Sequence, residues 1–490
     1  MERIPESLKN KIISAQEAAS MIKADMVLGF SGFGQVGDPH IIPAEIAKQG
    51  TATNLTVITG ASVGPHLDGD MTEAGLIARR FPYQTNKPCR AAVNAGTISY
   101  ADQHLSVTPK WIMTGNSPKI DFAIIECCAV TEEGLYPAAT VGVSDACVAK
   151  ADKVLIELNT TLPIELVGMH DIYSNAGKKE PIPITGPMDR VGTPYIPCDP
   201  AKIAGIVVTD DPEYFPTFKA ADEDSKKIAG HIVEFLKGEI AAGRQPENLF
   251  PIQSGVGNVA NAVLAGLETS GLKNLTMYTE VIQDSALNLI KKGIIDGGSC
   301  TSLSLSREGM DELINNIDFY NSRIVIRPQE ISNNPEVARR LQLVSMNTPI
   351  EVDIYGNVNS THVMGTKIMN GIGGSGDFSR NSGLVIFATG SLAKNGAISC
   401  IVPMCSHIDH TEHEVQVIVT EQGVADLRWK SPRERAEAII ENCAHPDYRD
   451  MLRDYFNRAC AESGGQTPHI LSEALSWHDR FNKTGTMKLS

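Results

Sequence analysis

Short runs of apolar, β-branched residues recur along this chain, separated by longer stretches with helical spacing. The first half contains MVLGFS, NLTVITG, DFAIIECC, KVLIELN and AGIVVTD. The second half contains NLTMYTE, RIVIRP, PIEVDIYG, GLVIFATG and VQVIVTE. Strands that are apolar throughout and alternate with helices are typical of parallel sheets covered on both faces. The pattern predicts an α/β fold in which both halves are open and doubly wound.

Two of these strand segments share a motif. Residues 54–59 and 274–279 both follow N-L-T-x-x-T, each shortly after a glycine-rich loop, at an offset of 220 residues. The match predicts two copies of one domain, with coincidence as the alternative. A chain of 490 residues also exceeds what one hydrophobic core supports. Taking the charged stretch 210–227 as the linker, we expect domains at residues 1–220 and 221–490.

Composition and charge exclude several classes of protein. The formal net charge is -15, whereas nucleic acids and anionic membranes are bound by basic surfaces. No stretch has the 18 or more apolar residues typical of a membrane span, and the N-terminus lacks a secretory signal. Instead, Ser14 and Glu17 have the spacing of a helix capping box. The ten cysteines lack a C-x-x-C pair, which favours reduced thiols. We expect a soluble, cytoplasmic protein that acts on small molecules.

The loop Gly32-x-Gly34-x-x-Gly37 formally matches a dinucleotide-binding fingerprint after a predicted strand. The next strand, however, ends in Gly-Ala-Ser, where an acidic residue would bind the ribose. Tight strand-to-helix turns explain these glycines better than NAD binding does. The helix that follows would still have an N-terminus suited to an anionic ligand.

Two glutamates stand where parallel strands are expected to end. Glu280 and Glu421 each follow an apolar strand and a threonine, and each is followed by an aspartate, four residues later at Asp284 and five residues later at Asp426. Carboxylates at such an edge suit a nucleophile and a helper, although a strand-end glutamate often only caps the next helix. The loop 370–378, NGIGGSGDF, is rich enough in glycine for its N–H groups to bind an anion or an oxyanion. An ordinary surface turn is the alternative.

The segment His407-Ile-Asp409-His410-Thr-Glu412-His413 is rich in imidazole and carboxylate groups. It lacks the i, i+4 histidine pair of a helical zinc site, so a hydrogen-bonded turn is favoured over a metal site. Cys127 and Cys128 lie in a predicted buried strand, which favours inert thiols over a nucleophile.

Several longer motifs, in a fixed order, resemble those of the acetyl-CoA hydrolase/transferase branch of the class I CoA-transferases. They are QSGVGNVANAV, YTEVIQDS, RPQEISNNPE, DIYGNVNSTHVMG, MNGIGGSGDF, VPMCSHIDH, TEQGVADLR and CAHPDYRDML, and the resemblance extends over residues 13–488. It implies two related α/β domains in one polypeptide, an active site at their junction, and a homodimer. It also implies transfer of CoA between short-chain carboxylates, with CoA as a substrate and no metal or redox cofactor.

The resemblance assigns roles to particular residues. Glu280 would be the nucleophile that becomes a glutamyl-CoA thioester, so the second domain would carry the catalytic glutamate. Asn333 and backbone N–H groups near Gly374 would hold the oxyanion, and Glu421 would stand beside the reacting carbonyl. The residues that would contact CoA are Ser254, Gly255, Val256, Gly257, Ile350, Asn370, Gly374 and Lys394. The ammonium of Lys394 would pair with a phosphate, unless it is a solvated surface lysine.

The substrate acids and the reaction type are left open by the sequence. A dicarboxylate such as succinate calls for an arginine, and residues 210–218 contain Tyr214 but no arginine, which favours acetate, propionate or butyrate. An arginine elsewhere would also serve. An acetyl-CoA hydrolase on the same scaffold is the main alternative, followed by a dinucleotide-dependent oxidoreductase and a non-catalytic binding protein.

Overall fold

Parallel strands and helices alternate along the chain, as the apolar runs predict. The computed structural model describes residues 2–218 and 220–489. The strands are β1 (Val27–Phe30), β2 (Phe33–Gly34), β3 (Leu55–Ile58), β4 (Ala61–Ser62), β5 (Ile77–Phe81), β6 (Ser99–Tyr100), β7 (Phe122–Val130), β8 (Gly134–Pro137), β9 (Lys153–Asn159), β10 (Ile196–Pro197), β11 (Ile203–Thr209), β12 (Ile252–Ser254), β13 (Leu275–Tyr278), β14 (Val281–Ile282), β15 (Ile295–Cys300), β16 (Ser302–Leu303), β17 (Ile324–Ile326), β18 (Val344–Asn347), β19 (Glu351–Asp353), β20 (Val358–Asn359), β21 (His362–Val363), β22 (Lys367–Ile368), β23 (Leu384–Ala388), β24 (Leu392–Ala393), β25 (Ile398–Ser399), β26 (Ile401–Val402), β27 (Val417–Thr420) and β28 (Gly423–Asp426).

The α-helices are α1 (Ala15–Met21), α2 (Ile41–Gln49), α3 (Met71–Glu73), α4 (Lys87–Ala95), α5 (Val107–Thr114), α6 (Ser144–Lys150), α7 (Glu223–Ala241), α8 (Asn258–Glu268), α9 (Asp284–Lys291), α10 (Arg307–Asn315), α11 (Ile317–Asn321), α12 (Gln329–Ser332), α13 (Pro335–Arg340), α14 (Ser375–Ser379), α15 (Pro432–Cys443), α16 (Pro446–Glu462) and α17 (Ser476–Thr484). The predicted capping box is present at the start of α1, where Ser14 and Glu17 hydrogen bond to each other's backbone N–H.

The chain divides into two compact units. The first contains Met1–Thr217, Met277–Lys291 and Ile295–Leu341, and the second contains Phe218–Thr276, Lys292–Ile294 and Gln342–Ser490. The segment with Glu280 therefore lies in the first unit. The division of the sequence into domains 1–220 and 221–490 stays a prediction.

The main sheet of the first unit is parallel, in the order β11-β9-β7-β1-β3-β5-β6. Strand β8 pairs antiparallel with the end of β7, and β10 pairs antiparallel with β8. From β1 the chain builds β3, β5 and β6 on one side and then crosses to β7, β9 and β11 on the other. The loop after β1, residues 31–37, therefore follows the strand at which the strand order reverses.

The second unit contains a sheet in the order β12-β18-β23-β27-β28, in which only β28 is antiparallel. The predicted strand PIEVDIYG forms β19, which belongs to a separate three-stranded sheet with β20 and β26. Helices α15 and α16 bury Ile439, Leu452 and Phe456 in the core of this unit. Both units are thus α/β structures built on parallel sheets, and the predicted fold class is confirmed.

The two N-L-T-x-x-T segments fold alike. Asn54 and Asn274 both adopt the left-handed conformation, with φ of 59° and 55°. Strands β3 and β13 follow at the same offset, as do the short strands β4 and β14. Thr59 N–H donates to Phe81 O at 2.9 Å, and Thr279 N–H donates to Ser299 O at 3.0 Å. Gly60 in the first segment consequently corresponds to Glu280 in the second.

The predicted linker at 210–227 is only partly correct. Residues 211–218 contain no helix or strand, but α7 begins at Glu223. The side chain of Asp222 caps this helix by accepting from Ser225 N–H at 2.8 Å. Four charged residues of this stretch, Glu223, Asp224, Lys226 and Lys227, belong to the exposed face of an amphipathic helix that buries Ile228 and Ile232.

Candidate active site

Glu280 lies two residues after the end of β13, next to Thr279, at the strand end that the sequence predicts. Its backbone carbonyl accepts from Thr301 N–H at 2.8 Å and Ser302 N–H at 3.1 Å, which fixes the turn. Its side chain is half-buried. The side-chain amide of Asn333 donates to Glu280 Oε1 at 2.9 Å. The structure therefore brings the predicted nucleophile and the predicted oxyanion donor together.

Asn333 is fully buried at the end of α12. The hydroxyl of Ser332 donates to Asn333 Oδ1 at 2.8 Å. Because the amide oxygen is occupied in this way, the amide nitrogen is the group presented to Glu280. Ser332 thereby sets the orientation of the Asn333 amide.

Tyr83 is a neighbour of Glu280 that sequence reasoning missed. With Val281, it packs against a buried apolar cluster of Phe33, Ala61 and Leu105. Burial, with the negative charge of Glu280 as a further cause, raises the pKa of Tyr83 to about 12, so its phenol stays neutral. Its φ of 43° is unusual for an aromatic residue, and such strain is common at functional sites. The sequence around Tyr83 contains no motif that would have identified it.

The glycine loop after β1 is filled by the protein's own side chains. Gly37 N–H donates to the carboxylate of Glu213 at 3.3 Å. A Cβ on Gly32, which has a φ of 104°, would lie 1.7 Å from Asp38 Oδ1, so this position needs glycine. The tight-turn interpretation of the fingerprint is therefore the one that fits the structure.

The start of α2 also has an internal anion. The carboxylate of Glu157 accepts from the backbone N–H groups of His40, Ile41 and Ile42 at 2.6, 3.0 and 2.9 Å. These are the donors that a bound phosphate would use. The expectation of an external anion at this helix is thus wrong, because the Glu157 carboxylate already occupies these donors. Glu157 belongs to β9, which is distant from α2 in the sequence, so local reasoning did not identify it.

Several predicted residues of the second unit lie at or after the carboxyl ends of its parallel strands. Ser254 ends β12 and residues 255–257 follow it, Ile350 lies three residues after β18, and Glu421 directly follows β27. Ligands bind α/β proteins at this edge of the sheet. Gly255 N–H donates to Met346 O at 2.9 Å, which ties the SGVG loop to the end of β18.

The SGVG loop is open to solvent at its tip. Ser254 is buried, whereas Val256 is 53% exposed, which is unusual for an aliphatic side chain. Gly257 has a φ of 117° and immediately precedes α8, an 11-residue helix. The loop thus combines a glycine turn, an exposed apolar side chain and a helix N-terminus.

Ile350 and Asn370 both bond to the backbone at the end of β20. Ile350 N–H donates to Asn359 O at 2.8 Å, and the amide of Asn370 donates to Ser360 O at 3.1 Å. Gly374 is buried and lies directly before α14. Since Gly373 and Gly374 are both buried, the glycine-rich loop is not an ordinary surface turn.

Glu421 is held in its ionised form. Its carboxylate accepts from Ser391 N–H at 2.8 Å, from the Ser391 hydroxyl, and from the Gln422 side-chain amide at 2.8 Å. Partial burial acts to raise its pKa, but these hydrogen bonds outweigh burial and keep the pKa of Glu421 below its ordinary value. This residue is a positioned carboxylate rather than a helix cap.

Lys394 lies at the tip of the hairpin between β24 and β25, in the left-handed conformation. It is exposed, and its ammonium lies 5.0 Å from the centre of the Phe481 ring. This geometry is compatible both with a phosphate-binding residue and with a solvated surface lysine.

The histidine-rich segment is a hydrogen-bonded turn in this structure. His410 is fully buried, and its ring nitrogens lie 3.0 Å from Ser375 Oγ and 3.2 Å from Ser379 Oγ. His407, by contrast, stacks on His362 with ring centres 3.9 Å apart. Within residues 2–218 and 220–489, no group of three or more His, Cys, Asp or Glu side chains is arranged to hold a metal ion.

The cysteines are free thiols, and all except the half-buried Cys460 are buried. Burial raises the pKa of Cys128 to about 12 and that of Cys127 well above its ordinary value. Since the thiolate is the reactive form, these side chains are inert.

A small cavity of about 40 Å³ lies in the first unit beside the predicted substrate segment. Tyr214, Phe215 and Leu303 line it. Leu303 directly follows Ser302, whose backbone N–H donates to the Glu280 carbonyl. Arg307 also lines the cavity, with its guanidinium 4.0 Å from the centre of the Phe215 ring. The segment 210–218 thus contacts an arginine that its own sequence lacks.

A strand-end carboxylate with an oriented amide donor beside it is an arrangement suited to acyl transfer. Comparisons with known proteins identify the class of enzyme. Residues 2–208 match the acetyl-CoA hydrolase/transferase N-terminal domain, and residues 309–456 match the C-terminal domain of the same family.

Relatives extend along the whole chain. It is 54% identical to succinyl-CoA:acetate CoA-transferase of Clostridium kluyveri, over 98% of this chain and 91% of that protein. It is 41% identical to acetyl-CoA hydrolase of Candida albicans, over 98% of this chain and 96% of that protein. The crystal structure of RipA from Yersinia pestis has the same fold, with a TM-score of 0.71, 21% identity, and coverage of 91% and 96%.

The chain belongs to the acetyl-CoA hydrolase/transferase family. It is an enzyme of the CoA-transferase type. Among the described residues, no helix has both the length and the apolar character to cross a membrane.

Proposed function

We propose that this enzyme transfers CoA from an acyl-CoA to a short-chain carboxylate through a thioester on Glu280. The observation that carries the proposal is the 2.9 Å hydrogen bond from the Asn333 amide to the Glu280 carboxylate. A nucleophile at a sheet edge with a neutral donor beside it is suited to acyl transfer. The identity to a CoA-transferase over almost the whole chain supports the same reaction.

The proposed reaction has two mirrored halves. The Glu280 carboxylate attacks the thioester carbonyl, which forms an acyl-glutamyl anhydride and releases CoA thiolate. The thiolate then attacks the glutamyl carbonyl, which releases the first acid and leaves glutamyl-CoA. The second carboxylate reverses these steps, so the kinetics are ping-pong. The Asn333 amide stabilises the oxyanion that forms on the carbonyl in each step.

The second unit supplies the remaining roles in this proposal. The backbone N–H groups near Gly374 assist the oxyanion, and Glu421 acts as an ionised carboxylate beside the reacting carbonyl. Ser254, Gly255, Val256, Gly257, Ile350, Asn370 and Lys394 bind CoA. The order of the family motifs supports these roles, as does the position of the SGVG loop, Ile350 and Glu421 at or after the ends of parallel strands. We further propose a cytoplasmic homodimer, on the basis of the family resemblance.

Whether succinate or a monocarboxylate is the acceptor depends, in this proposal, on whether an arginine is available for a second carboxylate. The lack of arginine at 210–218 favours acetate, propionate or butyrate as acceptors. However, Arg307 stacks on Phe215, and it is the only arginine or lysine among the described residues that line the adjoining cavity. It is a candidate partner for the second carboxylate of succinate. If Arg307 serves succinate, Arg307→Leu will raise the KM for succinate and leave that for acetate unchanged. If succinate is a poor acceptor in the unaltered enzyme, the first expectation stands.

Acetyl-CoA hydrolysis is the second candidate, favoured by the relative of that name at 41% identity. The two activities differ in their acceptor. A transferase releases little CoA from acetyl-CoA until a carboxylate is added, whereas a hydrolase releases it in buffer alone. CoA release with and without added carboxylate, measured on the same preparation, separates them.

The covalent intermediate tests the proposal directly. With acyl-CoA and no acceptor, borohydride will reduce the glutamyl thioester to an alcohol, inactivate the enzyme and change the mass of the peptide containing Glu280. Adding a carboxylate acceptor first will protect the enzyme. Glu280→Ala will fold and lose essentially all transfer, whereas Glu268→Ala, at a solvent-exposed glutamate, will not. Modification of Glu421 or a cysteine instead, or an active Glu280→Ala enzyme, would refute the role of Glu280.

A further inference from the structure

The two repeated segments differ at the one position that matters for chemistry. Thr59-Gly60-Ala61 in the first corresponds to Thr279-Glu280-Val281 in the second. In both, the threonine N–H bonds to the neighbouring strand and a short parallel strand follows. Glycine thus stands where the other copy has the proposed nucleophile.

The space above Gly60 is filled by the side chain of Gln329. A Cβ placed on Gly60 would lie 2.2 Å from Gln329 Oε1 and 3.3 Å from its Cδ. The φ of Gly60 is not in the left-handed region, so the backbone conformation does not require glycine. The requirement is one of space, and it is imposed mainly by Gln329, with the backbone nitrogen of Val143 a further close atom at 3.3 Å.

Gln329 is fixed by polar contacts as well as by this fit. It is fully buried. Its backbone N–H donates to Gly142 O at 2.8 Å, and its Nε2 donates to Leu105 O at 2.8 Å. Leu105 belongs to the apolar cluster against which Tyr83 and Val281 pack. The Gln329 side chain therefore links α12 to the surroundings of Glu280.

Gln329 is also connected to Asn333 by the backbone of one short helix. It is the first residue of α12, and Asn333 N–H donates to Gln329 O at 3.1 Å. The next hydrogen bonds run from Ser332 to Asn333 and from Asn333 to Glu280. A helix of four residues has little stability of its own, so its position depends on such tertiary contacts.

We propose that Gln329 is a positioning residue, whose side chain, seated against Gly60, fixes α12 so that the Asn333 amide meets the Glu280 carboxylate. The inference rests on the proposed roles of Glu280 and Asn333. Gly60 contributes to this positioning because its lack of a side chain leaves room for Gln329. The first copy of the repeat thus helps to position the residues around Glu280 in the second copy.

The test compares Gln329→Ala in two backgrounds. In the otherwise unaltered enzyme it will lower kcat about 10- to 100-fold, with a smaller change in the KM for acyl-CoA, since small misplacements of reacting groups have effects of this size. In the Asn333→Ala enzyme it will lower kcat less than about threefold, because its partner is already absent. Gln329→Met, which keeps the volume but loses the bond to Leu105, will behave in the same way and covers poor folding of the alanine variant.

Gly60→Ala provides the second arm. The added methyl group will displace the Gln329 amide, so kcat will fall as in Gln329→Ala. The double variant Gly60→Ala/Gln329→Ala will be no worse than Gln329→Ala alone. Two matched controls report the cost of similar changes elsewhere. Gly205→Ala brings a Cβ within 2.1 Å of the Ile13 side chain, and Gln245→Ala removes a buried amide that accepts from Phe250 N–H. Both will lower the thermal midpoint and leave kcat unchanged.

The outcomes separate this inference from the proposed function. Equal losses of kcat from Gln329→Ala in both backgrounds, or losses additive with Gly60→Ala, would overturn the positioning role and leave Glu280 in place. An active Glu280→Ala enzyme would instead refute the proposed function itself.

Discussion

Asn333 is a fully buried residue whose side-chain amide donates a hydrogen bond to Glu280. Its amide is buried and held by Ser332, so its direction is set before any substrate binds. Donors that are oriented in advance stabilise a developing oxyanion without reorganising during the reaction. On the proposed mechanism, we therefore expect Asn333 to act mainly in the transition state.

We expect Asn333→Ala to lower kcat by a factor of about 10²–10³, equivalent to about 2.7–4 kcal/mol, with a smaller change in KM. Steady-state kinetics with acetyl-CoA and a saturating carboxylate measure this. Asn316→Ala, at an exposed asparagine of the same unit, is the control and should retain activity. A rise in KM alone would show that Asn333 binds ground and transition states equally.

Among the elements, the five-residue helix α14 depends on a neighbouring loop. His410 bonds to Ser375 and Ser379 at its two ends and stacks on Phe387, with ring centres 4.9 Å apart. Because α14 follows Gly374 directly, His410 also supports the glycine-rich loop. The histidine that suggested a metal site thus stabilises a proposed binding loop.

His410→Ala should lower the free energy of unfolding by about 1–3 kcal/mol, because the buried Ser379 hydroxyl and the partly buried Ser375 hydroxyl each lose a partner. It should also raise the KM for acyl-CoA. Thermal unfolding and steady-state kinetics test this, with the exposed His413→Ala as the control. EDTA should leave the activity of the unaltered enzyme intact, and a loss that zinc restores would contradict the structural role.

For the whole molecule, the pH range of stability follows from carboxyl groups remote from Glu280. Glu239 of α7 accepts a two-pronged contact from Arg428, at 2.7 and 2.8 Å, and a second contact from Arg244. The hydrogen bonds from Arg428 and then Arg244 lower the pKa of Glu239 to about 2. Its contribution to stability is therefore present above its ordinary pKa near 4.5 and is lost as the pH falls towards 2.

Glu239→Gln should flatten the acid side of the stability curve. The free energy of unfolding of the unaltered enzyme should fall more steeply between pH 5 and 3 than that of the variant. The extra slope corresponds to about one proton that the unaltered enzyme takes up on unfolding at Glu239. Urea unfolding across this range measures the difference. The exposed Glu234→Gln on the same helix should follow the unaltered enzyme. Parallel curves for Glu239→Gln would show that the ion pair does not form in solution.

Asp145 has the opposite effect on the pH dependence of stability to Glu239. Burial, and then the charge of Glu330, raise its pKa from 3.8 to about 7. The folded state therefore binds its proton more tightly than the unfolded state, and stability falls as the pH rises from about 4 to 7. Asp145→Asn should remove this decline and be more stable than the unaltered enzyme at pH 8, by at most about 4 kcal/mol. Urea unfolding at pH 5 and 8 tests this, with the exposed Asp296→Asn as the control. If the free energy of unfolding changed between pH 5 and 8 by the same amount in Asp145→Asn as in the unaltered enzyme, the raised pKa of Asp145 would be contradicted.

The missed strands show where local pattern stops being informative. Strand β5 contains Arg79 and Arg80, and β15 contains Asp296 and two glycines, so neither is a continuous apolar run. Arg80 is nevertheless fully buried, because Asp68 pairs with it at 2.7 Å. A charge can occupy a core strand when a distant residue compensates it, and the strand's own sequence does not contain that residue.

The sequence by itself determined the α/β class, the repeated strand motif and the position of Glu280 after an apolar strand. These features are local, since burial on both faces of a parallel strand leaves a continuous apolar run and the residue after it falls at the sheet edge. Only the tertiary structure decided that Glu157 occupies the start of α2, that Arg307 stacks on Phe215, and that Gln329 fills the space above Gly60. Each of these joins segments separated by many residues, and such contacts depend on how the chain packs rather than on any local spacing.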